Sequence, residues 1–165
     1  MRFDHNIHHR RSIRLTGYDY AENGFYFVTI CSQNRELLFI ESEIKIMIKK
    51  WWLELEDKFK QINLDKFVIM PNHLHGIIQI NRPGQTHRSA PTLGRMIQWF
   101  KTMTTNEYIR NVKTKDWLAF FNGQLWQRNY WEHIIRDEQS LFNIRQYIED
   151  NPKMWCRDRN NPDNL

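Results

Sequence analysis

Cysteine is scarce and long apolar runs are missing, and each shortage closes off a class of protein. Only Cys31 and Cys156 occur in 165 residues. Two thiols this far apart make neither a disulfide framework nor a zinc ribbon, and they suit a reducing cytosol. No run approaches the roughly 18 apolar residues of a membrane span. The opening "MRFDHNIHHRRSIRL" has no apolar segment of the kind a signal peptide carries. Internal repeats and low-complexity tracts are also lacking. The expectation is a cytoplasmic protein with no membrane partner.

What is present points to a packed domain with a taste for polyanions. Hydrophobic residues make up 41% of the chain, with seven Trp, six Tyr and ten Phe, which argues against disorder. The length fits a single domain over 1–165, and a domain of this size buries roughly 70% of the surface its unfolded chain exposes. An excess of 24 Lys+Arg over 19 Asp+Glu gives +5, which favours an anionic partner or substrate. Residues 1 to about 16 form a basic arm carrying Arg10, Arg11 and Arg14.

The pattern of elements is mixed. "GFYFVTICSQN" is aromatic and β-branched and reads as a strand. "ESEIKIMIKKWWLELEDKFKQI" places Ile44, Met47, Ile48, Trp51, Trp52, Leu55 and Phe59 near helical spacing, with Ser42 as the expected N-cap. "LDKFVIM" and "HLHGIIQI" are two strands joined by Pro71-Asn72. A loop over about 81–92 follows, and Thr92 caps the next helix. "LWQRNYWEHIIR" reads as mostly extended, and "SLFNIRQYIEDNP" as a helix that Pro152 stops. The order β-α-β-β-α-β-α predicts an α+β fold: a ferredoxin-like or RRM-like antiparallel sheet with its helices packed on one face.

Inside "VIMPNHLHGIIQI" lie two histidines one residue apart. Alternation along a strand puts His73 and His75 on one face and Leu74, Gly76 and Ile78 on the other. Side by side, the imidazoles can share a metal ion or a phosphate, or they can be two hydrogen-bonded strand histidines. A zinc hydrolase would add H-E-x-x-H or C-x-x-C, and neither motif occurs. A histidine-triad hydrolase would continue with a third His, where this chain has Ile77. A 2H phosphoesterase would need His-x-Thr twice. What remains is a hard divalent ion held by two imidazoles and an oxygen donor, with sites left open to substrate oxygens. In the last helix Tyr147 and Asn151 stand four residues apart, on one flank of the Leu141, Ile144, Ile148 stripe. Only about one phenol in a thousand is ionised at neutral pH, so Tyr147 needs help to act as a nucleophile. Taken alone, the pair reads first as a packed tyrosine with Asn151 a helix cap, and it is the H-x-H strand that shifts the balance.

The ordered set of "MPNHLHG" and "QYIEDNP", with "RRSIRLTGYDY", "FYFVTICSQNRELLF", "LWQRNYWEHIIRD" and "NPKMW", resembles the single-tyrosine transposases of the HUH endonuclease superfamily (IS200-like), and within them the REP-associated tyrosine transposases. The likeness runs from about Arg10 to Trp155. It implies an HUH endonuclease fold with His73 and His75 as metal ligands, Asn151 as the third, and Mg²⁺ or Mn²⁺ as the ion. It implies that Tyr147 attacks a single-stranded DNA phosphodiester beside a hairpin, forming a 5′-phosphotyrosine and releasing a 3′-hydroxyl that can later rejoin. Arg10, Arg11, Arg14 and Lys101 are then candidate DNA contacts, and either a monomer or a homodimer fits. Trp126, Trp131 and Trp155 can stack unpaired bases or pack in the core, and His133 is expected to pack. Two alternatives stand beside this one: a module that binds hairpin DNA or RNA without cutting it, and a phosphodiester hydrolase using the histidines directly.

Overall fold

A computed structural model describes residues 19–81, 91–115, 117 and 124–164. The basic arm with Arg10, Arg11 and Arg14, and residues 82–90 of the expected loop, lie outside the described residues.

The elements follow in the expected order: β1 (Gly24–Cys31), α1 (Ser42–Lys58), β2 (Ile62–Ile69), β3 (His73–Ile80), α2 (Leu93–Thr114), β4 (Trp131–Ile135) and α3 (Glu138–Asp150). The strands form one antiparallel sheet in the order β2-β3-β1-β4. That interleaving of two β-α-β halves is the ferredoxin-like arrangement. Thr92 caps α2 by accepting a hydrogen bond from the Arg95 amide. Ser42 does not cap α1: Glu41 holds that position and Ser42 is the first helical residue. The extended reading of 125–136 narrows to β4, plus a single bridge between Ser32 and Trp126.

The helices do not all lie on one face. Tyr26, Val28 and Ile30 of β1 and Leu74 and Ile78 of β3 point to α1 and α2, and are buried with Trp52, Leu55, Phe100 and Tyr108. Phe27 of β1 and Ile77 of β3 point the opposite way, where α3 covers them with Leu141 and Ile148. The reason is legible in the strands. The central pair has apolar residues at both alternations, so each face needs a lid. Gly76 belongs to the first face: a Cβ there would lie 2.3 Å from Cζ2 of the buried Trp52. The glycine of "HLHG" thus makes room for an indole.

Two ion pairs pin α3 to β2. The register of β2 shifts between Leu64 and Phe67, and from this bulge two successive residues reach the same helix. The Arg145 Nε donates to both carboxylate oxygens of Asp65 at 3.1 Å, and the Lys66 ammonium meets Glu149 at 2.6 Å. At its far end α3 does not stop cleanly at Pro152. Asn151 keeps right-handed helical angles and the chain continues as a 3₁₀ turn over Asn151–Arg157. Proline is tolerated in the first turn of a helical segment, where its missing N–H has no partner to lose. That extra turn carries residues 155–160 back across the sheet.

Candidate active site

His73 opens β3 and is fully buried, and His75 is nearly so. Their Nε2 atoms face each other 3.0 Å apart. The neighbours of their other ring nitrogens decide how these atoms are used. The Asn72 amide donates to the carbonyls of Arg35 and Asn160 at 3.0 and 2.7 Å, which turns its Oδ1 toward His73 Nδ1 at 2.8 Å. A carbonyl oxygen only accepts, so His73 carries its proton on Nδ1 and presents the Nε2 lone pair to the site. His75 Nδ1 lies 2.8 Å from the Thr29 hydroxyl, a rotor that serves either tautomer. Burial lowers the pKa of His73 to about 4, with Asp158 working against it, and burial and the His73 neighbour lower that of His75 to about 2. Both rings are neutral at physiological pH, the form in which imidazole ligates metals.

The tyrosine arrives from the far end of the chain. Tyr147 Oη is 3.3 Å from His75 Nε2, and its ring packs against Phe27. At 47% exposure the side chain is open to solvent on one side. Burial of the rest pushes the phenol above its usual pKa, a hydrogen bond from the Asn151 side chain works in the other direction, and the Asp158 charge adds to the rise. Asn151 is 3% exposed, and its Oδ1 is buried without a hydrogen-bond partner. A buried carbonyl oxygen left unpaired is costly, and this one belongs to a side chain that is hydrogen-bonded to the Tyr147 phenol.

The structure adds a carboxylate that sequence reasoning missed. Asp158 lies just past the 3₁₀ turn, 5% exposed, with Oδ2 3.5 Å from His73 Nε2. Among the described residues, His73, His75 and Asp158 form a group whose ligand atoms all fall within 4.8 Å of one another. Nothing in "MWCRDRN" marks this residue, because no periodicity or motif links a tail aspartate to a strand. Thr29 and Asn72 were also missed. Thr29 sits opposite His75 only through the β1–β3 register, and Asn72 reads in sequence as a turn residue.

Lys101 is placed elsewhere. Its ammonium donates to the carbonyls of Gln127, Asn129 and Arg128 at 2.7, 3.0 and 3.4 Å, and burial lowers its pKa to about 8. All three N–H donors serve the protein's own backbone, so the expected phosphate contact gives way to a clamp on the segment before β4. His133, expected to pack, is exposed. Trp126 is core, donating to the Thr104 hydroxyl at 2.8 Å. Trp155 is partly buried beside His73, whereas Trp131 is exposed.

Residues 21–151 match the profile of the family described as transposase IS200 like. A Haemophilus influenzae protein of uncharacterised function is 39% identical over a 181-residue alignment spanning 96% of each chain. A second protein of that organism, provisionally assigned as a REP-associated tyrosine transposase, is 26% identical over 142 residues, or 81% of this chain and 73% of its own. Among solved structures, a REP-associated tyrosine transposase bound to a REP hairpin superposes with a TM-score of 0.64 at 17% identity, covering 88% of this chain and 74% of that one. A Deinococcus radiodurans structure, provisionally assigned as a transposase, gives 0.53 at 16% identity over 84% and 97%. These two likenesses establish the fold.

Proposed function

Because the chain belongs to the IS200-like transposase family, we propose that it cuts and rejoins single-stranded DNA beside hairpins through a covalent bond to Tyr147. The observation that carries this reading is the 3.3 Å approach of the Tyr147 hydroxyl to His75, on an imidazole pair that already faces inward. The solved relative that holds a REP hairpin supports hairpin DNA as the partner. No helix among the described residues is long and apolar enough to cross a membrane, in keeping with a cytoplasmic enzyme that meets DNA at the nucleoid.

The donor set fits Mg²⁺ or Mn²⁺. His73 and His75 offer nitrogens, Asp158 offers an anionic oxygen, and Asn151 has a buried carbonyl oxygen with nothing else to bind. An ion held there supplies positive charge that polarises the phosphodiester and stabilises the developing phenolate. The protein does the rest. The Asn72 amide holds the His73 tautomer, and Thr29 steadies His75. The Asn151 hydrogen bond favours the ionised phenol. Tyr147 Oη bonds to phosphorus, the P–O3′ bond breaks, and the phenolic proton is balanced by the one taken up by the departing 3′-oxygen. Attack by another 3′-hydroxyl reverses these steps, and the ester energy is conserved. Arg10, Arg11 and Arg14 are proposed to hold backbone phosphates.

Tyr147 reaches His75 of its own chain, the geometry a monomeric cutting unit would use. A homodimer exchanging α3 is the other form. The test is to mix the protein with single-stranded hairpin oligonucleotides and Mn²⁺ and seek a denaturant-resistant protein–DNA band. The parent forms it, Tyr147→Phe forms none while still binding DNA, and EDTA abolishes it. An adduct from the Phe variant sinks the nucleophile assignment. Binding that EDTA leaves unchanged, with no adduct on any oligonucleotide, favours the non-cutting module.

A further inference from the structure

Beside the tyrosine, on the same face of the sheet, lies a row of aromatic rings that the chemistry above does not use. Register places Trp131 opposite Thr29 and His133 opposite Phe27. Side chains alternate along β4, so both rings stand on the face that carries His75 and Tyr147, while Glu132 points away. Trp131 is 43% exposed at the start of a strand that ends the described sheet. Its indole is parallel to the His133 ring within 5°, at 6.1 Å between centroids.

This row is tied to the candidate nucleophile through one ring. Phe27 meets Trp131 edge-on at 5.8 Å, Tyr147 edge-on at 6.0 Å and His75 in a stack at 5.3 Å. Trp131 and Tyr147 are thus the two exposed neighbours of one buried ring. The Arg159 guanidinium lies 5.8 Å over the indole, next in sequence to Asp158. Its charge acts on His73, His75 and Tyr147 alike. A flat, exposed aromatic with a cation above it, next to a centre suited to phosphate, has the two features of a single-strand binding surface: stacking for the base and charge for the backbone. A protein partner would use the indole but has no need of a cation held over it whose charge also reaches the tyrosine.

We propose that Trp131, extended by His133, is the seat on which an unpaired nucleobase stacks beside the phosphodiester presented to Tyr147. The base would take the exposed face of the indole and its phosphate would meet Arg159. This rests on the cutting reading for the identity of the DNA, but its test does not depend on cutting.

Equilibrium binding is measured in EDTA on a Tyr147→Phe background, where no chemistry occurs. The probes are a short oligothymidylate and an abasic deoxyribose oligomer of equal length, which keeps the phosphates and lacks the bases. One stacked base contributes about 1–3 kcal/mol, so Trp131→Ala should weaken oligothymidylate binding roughly 5- to 150-fold and leave the abasic oligomer within about twofold. Trp131→Phe should keep most of the affinity, and unchanged far-UV and near-UV circular dichroism would exclude misfolding. Parental affinity of the Ala variant for oligothymidylate overturns the proposal, and so does an equal loss on both probes. If the base-dependent loss is present but no Tyr147 adduct ever forms, the seat stands and the cutting reading falls.

Discussion

The two faces of the sheet are built for different ends. Toward α1 and α2 the face is continuous hydrocarbon and aromatic surface, with Trp52, Phe100, Tyr108 and Leu55 fully buried. Toward α3 the apolar cluster is small, centred on Phe27 and Ile77, and gives way to two buried imidazoles, a buried amide with an orphan oxygen and a half-open tyrosine. The first face holds the fold together. The second groups ligand atoms of two imidazoles and a carboxylate within 4.8 Å of one another, whereas the first holds the unpaired Trp52 Nε1 singly among apolar rings. Substitutions should therefore separate cleanly: damage to the first face should appear as lost stability, and damage to the second as lost chemistry.

The sharpest contrast should come from Trp52→Ala, expected to destabilise by about 3–5 kcal/mol because it empties the centre of the larger core. Urea melts would check it. A loss below about 1 kcal/mol would mean the α1 face is not the main support.

Next in size is a pH effect confined to the other face. His73 and His75 titrate lower when folded than the ordinary value of 6.5. Between pH 6.5 and 4 the unfolded chain therefore binds protons that the folded chain refuses, and stability falls as pH falls. In EDTA the loss from pH 7 to pH 5 should be roughly 2–4 kcal/mol, and it should shrink when both histidines are replaced by Asn. A flat profile over that range would show that the rings are solvated.

Lys101→Met should cost about 1–3 kcal/mol by stranding the carbonyls of residues 127–129, while DNA affinity stays close to parental. A fall in affinity with no change in stability would return Lys101 to the DNA surface. The smallest stability effect should come from Tyr147→Phe, within about 0.5 kcal/mol of the parent, although the proposed adduct should be lost entirely. A large melt shift there would blur the division between the faces.

The legible parts share one property. β1, α1, β3 and α2 announce themselves through short-range periodicity. His73, His75 and Tyr147 announce themselves because an H-x-H pair in a strand and a tyrosine four residues before an asparagine are local patterns. The illegible parts depend on which residues the tertiary fold sets opposite one another. Ser42 looks like a cap, yet the helix begins one residue earlier than that role requires. Lys101 looks like a surface cation until the loop before β4 folds over it.

From the chain alone came the alternation of strands and helices, the pairing of two imidazoles on one strand face, and a phenol on an amphipathic helix, because each is set by neighbours within one or two turns. Tertiary structure alone decided that α3 crosses to the second face, that Asp158 returns through a 3₁₀ turn to His73, and that Trp131 shares Phe27 with Tyr147. These depend on strand register and on a helix docking across the sheet, contacts between residues far apart in sequence that no local pattern encodes.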